Sequence, residues 1–265
     1  MRQEDLELIA RDPLFDGIEQ EQVATLLDLL ASASVATAEP VATNQPMYLK
    51  KGPLMTDQST VTYRPFEERD FDDIAQVYTH IWTNNVEAPD DKILCGSLMT
   101  AASLLRSTYS FVAEVDGRAV GVGQGCIIRD GQPVEDERWR PTYELWLARG
   151  EERAKTADRV LEGAIFGDLR EYSTADRFIA TGSPYAEAEL NFLILEPSYQ
   201  GLGIGRALFT RVCDALREGG ASRFFLMTDT ESNWELYEHY GMTRIAELPD
   251  PDDPGWASLM YGGEL

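Results

Sequence analysis

Positive charge is scarce in this chain: 23 lysines and arginines stand against 46 aspartates and glutamates, a formal net charge of −23, and only four of the basic residues are lysine. Neutralising a row of phosphates requires a basic footprint, and none is written here, so nucleic acid is not an expected partner. The long-range field of such a chain favours cationic partners instead. Histidine is equally rare, with His80 and His239 alone, too few for most metal sites, and no metal is expected. The three cysteines, Cys95, Cys126 and Cys213, are widely spaced with no C-x-x-C pair. That pattern excludes a disulfide scaffold and a thiolate zinc site, and it suits a reducing cytoplasm. No apolar run is long enough to cross a membrane: the longest uncharged stretch, 93–105, is short and mixed. The opening residues MRQEDLELIARD carry four acids and no apolar core, so they do not read as a secretory signal.

What remains is an ordinary soluble composition, 43% hydrophobic, in a 265-residue chain with ample material for a core. Residues 1–60 read as a separate helical arm and linker. Val23, Leu26, Leu27 and Leu30 share a helical face, followed by the small-residue and proline stretch ASASVATAEPVATNQP. The phrase PLFDGIEQEQVATLL resembles the opening helix of cyclic-nucleotide-binding domains. Sixty residues cannot hold that barrel, and no phosphate-binding Gly-Glu…Arg cassette follows, so a docking or dimerising arm is the better reading. From residue 61 strands and helices alternate in the order β-α-α-β-β-(insert)-β-α-β-α-β-β, an α+β domain around a mixed sheet. The insert, 129–186, holds Trp139 and Trp146 and one expected helix over 151–171. It is long for a connection. It reads either as a lid, whose Trp139, Tyr143, Trp146, Glu151 and Glu152 select a substrate, or as a brace over a sheet face.

The chemistry concentrates in NFLILEPSYQGLGIGRALFTRVCDALREGG, 191–220. Phe192 to Leu195 is a continuous apolar run of the kind buried on both faces of a sheet. Pro197 has no N–H and stops the ladder. Gln200, Gly201, Leu202, Gly203, Ile204, Gly205 and Arg206 then form a turn that opens a helix, with Ile204, Leu208, Val212 and Leu216 as its inward stripe. Strand, glycine turn and exposed helix N-terminus make an anion site: unsatisfied N–H groups and the positive end of the dipole, with the Arg206 charge in the first turn. A Walker A loop would need Gly-Lys-Ser/Thr, and a dinucleotide fingerprint would need glycine where Arg206 or Leu208 stands. A second alternating-glycine run, GVGQG at 121–125, continues into a strand, so it reads as close packing.

The residual pattern, Q-x-x-G-x-G from Gln200 through Gly203 and Gly205, resembles motif A of the GNAT superfamily of acyl-CoA-dependent N-acetyltransferases. SNWELYEHYGM, 232–242, is similar to that family's motif B, with Tyr237, Glu238, Gly241 and Met242 in the matching places and Met242 where phenylalanine is usual. AELNFLILEP is similar to its buried strand, and the element order from residue 61 matches its topology. The resemblance implies a GNAT-type sheet over 61–265 and acetyl-CoA as co-substrate, with the loop 200–206 around its pyrophosphate. It also implies main-chain bonds from Leu193, Ile194 and Leu195 to the pantetheine arm, with Asn233 a further candidate contact.

The implied reaction is attack of a neutral amine on the thioester. It needs a base for the ammonium proton and an acid for the departing thiolate, a role that suits a phenol. Tyr237 stands where the family places the acid, with Tyr240 as fallback. Glu189, at the start of the buried strand, is the candidate base; Glu187, Glu196 and a water chain compete. The implied acceptor is a primary amine on a small molecule or a peptide, and a homodimer is among the open assemblies. The alternative reading is a silent acyl-CoA sensor on the same scaffold.

Overall fold

The computed structural model describes residues 60–249 and 255–265; the N-terminal arm and its linker lie outside them. The described residues divide into a larger compact unit, 60–227 with 263–265, and a smaller one, 228–249 with 255–262.

In the larger unit the strands β1 (Thr62–Pro65), β2 (Tyr109–Val115), β3 (Arg118–Arg129), β5 (Ala188–Leu195) and β6 (Arg223–Asp229, which continues into the smaller unit) lie side by side in that order. The first four pair antiparallel and β5 pairs parallel with β6, so the sheet is mixed. The β2–β3 hairpin turns on Asp116 and Gly117, both at positive φ (51° and 81°), the conformation that an Asp-Gly turn supplies. A short strand β4 (Gln132–Pro133) pairs with the end of β3.

Helices α1 (Phe71–Trp82) and α2 (Pro89–Arg106) cover one face, burying Ile74, Val77, Tyr78, Leu94 and Leu98 against Val122, Phe192 and Ile194. The uncharged run 93–105 is therefore a buried helix. At its crossing with α1, a Cβ on Gly96 would stand 2.4 Å from the Ala75 carbonyl oxygen, so only glycine permits this approach. On the other face α5 (Ile204–Glu218) packs Ile204, Leu208, Val212 and Leu216, all at most 1% exposed. The GVGQG run lies in β3, and a Cβ on Gly125 would meet Val212 Cγ1 at 2.7 Å. Close packing accounts for it, as the sequence suggests.

The insert differs from expectation in holding two helices, α3 (Arg140–Ala154) and α4 (Arg159–Ala180), where one was expected over 151–171. The break falls at Asp158, whose side chain accepts from the Leu161 N–H at 2.9 Å and starts a new helix. Trp139 is 9% exposed and packs on Phe66 and Phe71 at ring separations of 5.5 and 6.0 Å. Tyr143 and Trp146 also lie against this core, while Glu151 and Glu152 are exposed. Trp139, Tyr143 and Trp146 thus pack against the core that α1 and α2 form.

The smaller unit comprises the end of β6, the short helix α6 (Glu235–His239) and an antiparallel pair, β7 (Thr243–Pro249) with β8 (Ala257–Glu264). Among the described residues no helix is long and apolar enough to cross a membrane.

Candidate active site

The site in the larger unit begins with a counting mismatch. Between the pairs Gln124↔Phe192 and Cys126↔Glu189, β5 runs one residue longer than β3. Leu190 and Asn191 therefore bulge opposite Gly125, which bends β5 and adds local twist. On its other side β5 has a single registered pair with β6, Glu189↔Phe225. Beyond the bulge no further registered pair with β6 is present among the described residues. The Glu196 N–H donates to the Val120 carbonyl at 2.8 Å, so alternation turns the main-chain groups of Leu195 and Leu193 away from β3, toward the open edge, and those of Ile194 toward β3.

Pro197 to Tyr199 form a 3-10 turn, and the chain enters the glycine loop. Gly201 and Gly203 take φ of 77° and 78°, which a side chain would strain. Gly203 is the N-cap of α5, and no side chain caps that end. Gly205 is different: its φ is ordinary for a helix, and beyond its own helix backbone and chain neighbours no atom lies within 4 Å of where a Cβ would be. Nothing in the fold asks for glycine there, so the open space above it is the feature to explain. Gln200, Leu202 and Arg206 are exposed around this end, and Ile204 is buried beneath it. Main-chain donors and an uncapped dipole, with an exposed arginine in the first turn, fit a diphosphate. The unpaired edge of β5 fits an extended amide-bearing chain. Both parts of coenzyme A thus have matching surfaces, and 193, 195 and 200–206 are the residues that would hold it.

Glu189 is 2% exposed, and its Oε2 accepts from Arg106 Nε at 2.9 Å, with the Cys126 thiol 3.7 Å away. Arg106, the last residue of α2, also reaches Asp176 of α4 at 2.8 Å and lies over the Tyr172 ring. Burial pushes the Glu189 carboxyl above its usual range, and Arg106 pulls part of that back. Burial likewise raises the Cys126 thiol, with Glu189 adding to it. Sequence reasoning missed Arg106. The available signal was a lone arginine closing an otherwise uncharged helical run. Of the competing acids, Glu187 accepts from the main-chain N–H of Ser222 at 2.7 Å, and Glu196 lies 3.0 Å from His80 Nδ1.

Tyr237 and Asn233 belong to the smaller unit. Tyr237 lies on α6 with its ring 5.8 Å from that of Tyr261. Burial, with smaller contributions from Tyr240, Asp229 and Tyr261, pushes its hydroxyl up to about 12. It therefore keeps its proton throughout the neutral range. Asn233 is exposed, and its carbonyl accepts from the Leu236 N–H. His239 is exposed, with Nδ1 2.7 Å from the Glu235 carbonyl oxygen.

A model of the acetyltransferase (GNAT) family matches residues 71–242, from α1 through the glycine loop to the end of the Tyr237 motif. The chain belongs to this GNAT family. Among curated proteins it is 30% identical over 112 residues to an N-alpha-acetyltransferase RimI of Mycobacterium tuberculosis, a stretch covering 42% of this chain and 66% of that one. It is 41% identical over 63 residues to a mycothiol acetyltransferase of Beutenbergia cavernae, covering 23% of this chain and 21% of that one. The chain thus spans less than two thirds of either relative. Among solved structures it is similar in fold to SsHAT, with a TM-score of 0.52 and 20% identity, covering 77% of this chain and 98% of that one.

Proposed function

We propose that this GNAT family member is an N-acetyltransferase that moves the acetyl group of acetyl-CoA to a primary amine of a small molecule or peptide. The observation that carries the reading is the start of α5, where Gly201 and Gly203 at positive φ present an uncapped helix end and Gly205 leaves it bare. A glycine in a first helical turn is costly, and at Gly205 neither backbone angle nor neighbouring atoms explain it. In this reading the pyrophosphate rests on the 200–206 backbone with Arg206 beside it. The pantetheine arm runs along the edge of β5 at Leu193 and Leu195, with the Ile194 side chain holding the strand in the core. Asn233 is carried as a further contact by the motif alone.

With Tyr237 carried as the acid by its motif, the amine nitrogen attacks the thioester carbon, the carbon–sulfur bond breaks, the thiolate takes the proton of the Tyr237 hydroxyl, and the proton that the nitrogen releases as the amide forms returns to the Tyr237 oxygen through water. The ammonium proton leaves earlier to water or, through water, to Glu189, whose Oε2 is already engaged by Arg106. The relatives named above act on different acceptors, so the acceptor is open within the amine class, and the charge of −23 favours a cationic one. The free cysteines fit a cytoplasmic setting.

The test is isothermal titration of acetyl-CoA against the wild type, Gly205→Ala and Gly205→Glu. Alanine should stabilise the fold by about 0.5–1 kcal/mol, because glycine is that much worse inside a helix, and yet weaken acetyl-CoA binding. Glutamate should abolish binding. If both variants bind as the wild type does, the loop does not hold the diphosphate and the reading fails.

A further inference from the structure

We propose that Arg244 is a positioning residue for the general acid Tyr237, acting through Tyr261 and Glu238; this rests on the reading of Tyr237 given above. The helix that carries Tyr237 has five residues, Glu235–His239, too few to persist on its own hydrogen bonds. Something outside it must fix the direction of the phenol. Arg244, on β7, is within reach of both flanks of that helix. Its guanidinium lies 4.6 Å from the ring of Trp234, the residue that precedes the helix. Its NH2 group donates to Glu238 Oε1 at 3.2 Å, immediately after Tyr237 in the chain. Its Nε donates to the Tyr261 hydroxyl at 3.1 Å, and that hydroxyl donates in turn to the same Glu238 oxygen at 3.0 Å. Glu247 accepts from NH1 at 3.0 Å and anchors the far side of the fork.

The result is a closed ring of Arg244, Tyr261 and Glu238, with Tyr261 fully buried and its ring tilted by 43° against that of Tyr237. Three separate nitrogens of one planar group are used, on three partners, which a lysine cannot reproduce. Glu238 and Glu247 are about half exposed, so these contacts contribute little to stability as ion pairs. Their consequence is geometric. They fix the helix ends and the wall behind the phenol, and a proton donor must be held near its bonding distance to act.

The experiment is a double-mutant cycle in the full chain, with acetyl-CoA and whichever amine the wild type turns over. Arg244→Gln should lower kcat by roughly tenfold to a hundredfold, the range for a displaced catalytic group, with KM for acetyl-CoA within about twofold of wild type. Arg244→Lys should recover little of the loss. In a Tyr237→Phe background, Arg244→Gln should cost nothing further, because the group it positions is already gone. A full multiplicative loss in that background means that Arg244 acts independently of Tyr237 and overturns the proposal. A Tyr237→Phe variant with wild-type kcat removes the acid reading itself and the proposal with it. If Arg244→Gln does not fold, Tyr261→Phe breaks the same ring while keeping the aromatic wall, and the same cycle is read with it.

Discussion

Replacing Arg106 with methionine keeps the length of the side chain and removes its charge, leaving Glu189 alone in the core. Both partners are almost wholly buried, 8% and 2% exposed, and the guanidinium lies 2.8–2.9 Å from Oε2. Two unit charges about 4 Å apart attract by ~4 kcal/mol at an effective dielectric near 20. Breaking a buried pair by removing one partner costs about 3–5 kcal/mol, so the two routes agree. For a domain of this size that corresponds to a fall in Tm of roughly 6–20 °C.

The loss must depend on pH. The folded-state pKa of Glu189 is raised, so the native state holds a proton at pH values where the unfolded chain has released it, and stability falls as pH rises through that window. Without Arg106 the carboxyl rises further. Urea unfolding should therefore show a loss that grows with pH, larger at about pH 8 than near pH 4, where both states are protonated and linkage removes it. Adding Glu189→Met should recover most of it, since an apolar pair of similar volume replaces a buried ion pair at little cost. An equal loss at both pH values, or no recovery in the double variant, would refute the reasoning.

Three further outcomes can be measured directly. Gly125→Ala should destabilise the fold by about 1–3 kcal/mol by overpacking, because its Cβ would stand 2.7 Å from Val212 and 3.0 Å from the Glu189 carbonyl oxygen; chemical denaturation checks this. With the Tyr237 hydroxyl pushed up to about 12, kcat should show no basic limb from this group between pH 8 and 10. A limb near pH 9 that vanishes in Tyr237→Phe would contradict that. Asp158→Ala should destabilise α4 by about 0.5–2 kcal/mol through loss of its N-cap, seen as a lower Tm with acetyl-CoA affinity unchanged.

Much of the fold was legible because its signals are local. Asp116-Gly117 specifies its own turn, the stripe Ile204, Leu208, Val212 and Leu216 specifies a buried helix face, and Gly219-Gly220 ends that helix. The glycines at 201, 203 and 205 were legible as a group, although they serve two purposes: backbone angle for the first two, open space for the third. The bulge at Leu190 and Asn191 was not legible, because it exists only as a difference in count between two strands. Arg106 escaped for a related reason. It meets Glu189 across 83 positions of sequence, and neither residue alone announces the other. The insert misled at Asp158, where a capping residue sits inside a pattern that otherwise continues as one helix.

The single registered pair between β5 and β6 has a consequence for how this protein can be assayed. Main-chain amides at Leu193 and Leu195 that have no strand partner should exchange hydrogen with solvent far faster than those of Phe192 and Ile194, which face β3. A co-substrate lying along that edge would slow the exchange at alternate residues only. Occupancy can then be read amide by amide, with no acceptor supplied and no acetyl group transferred, so binding in this chain can be established before its amine is known.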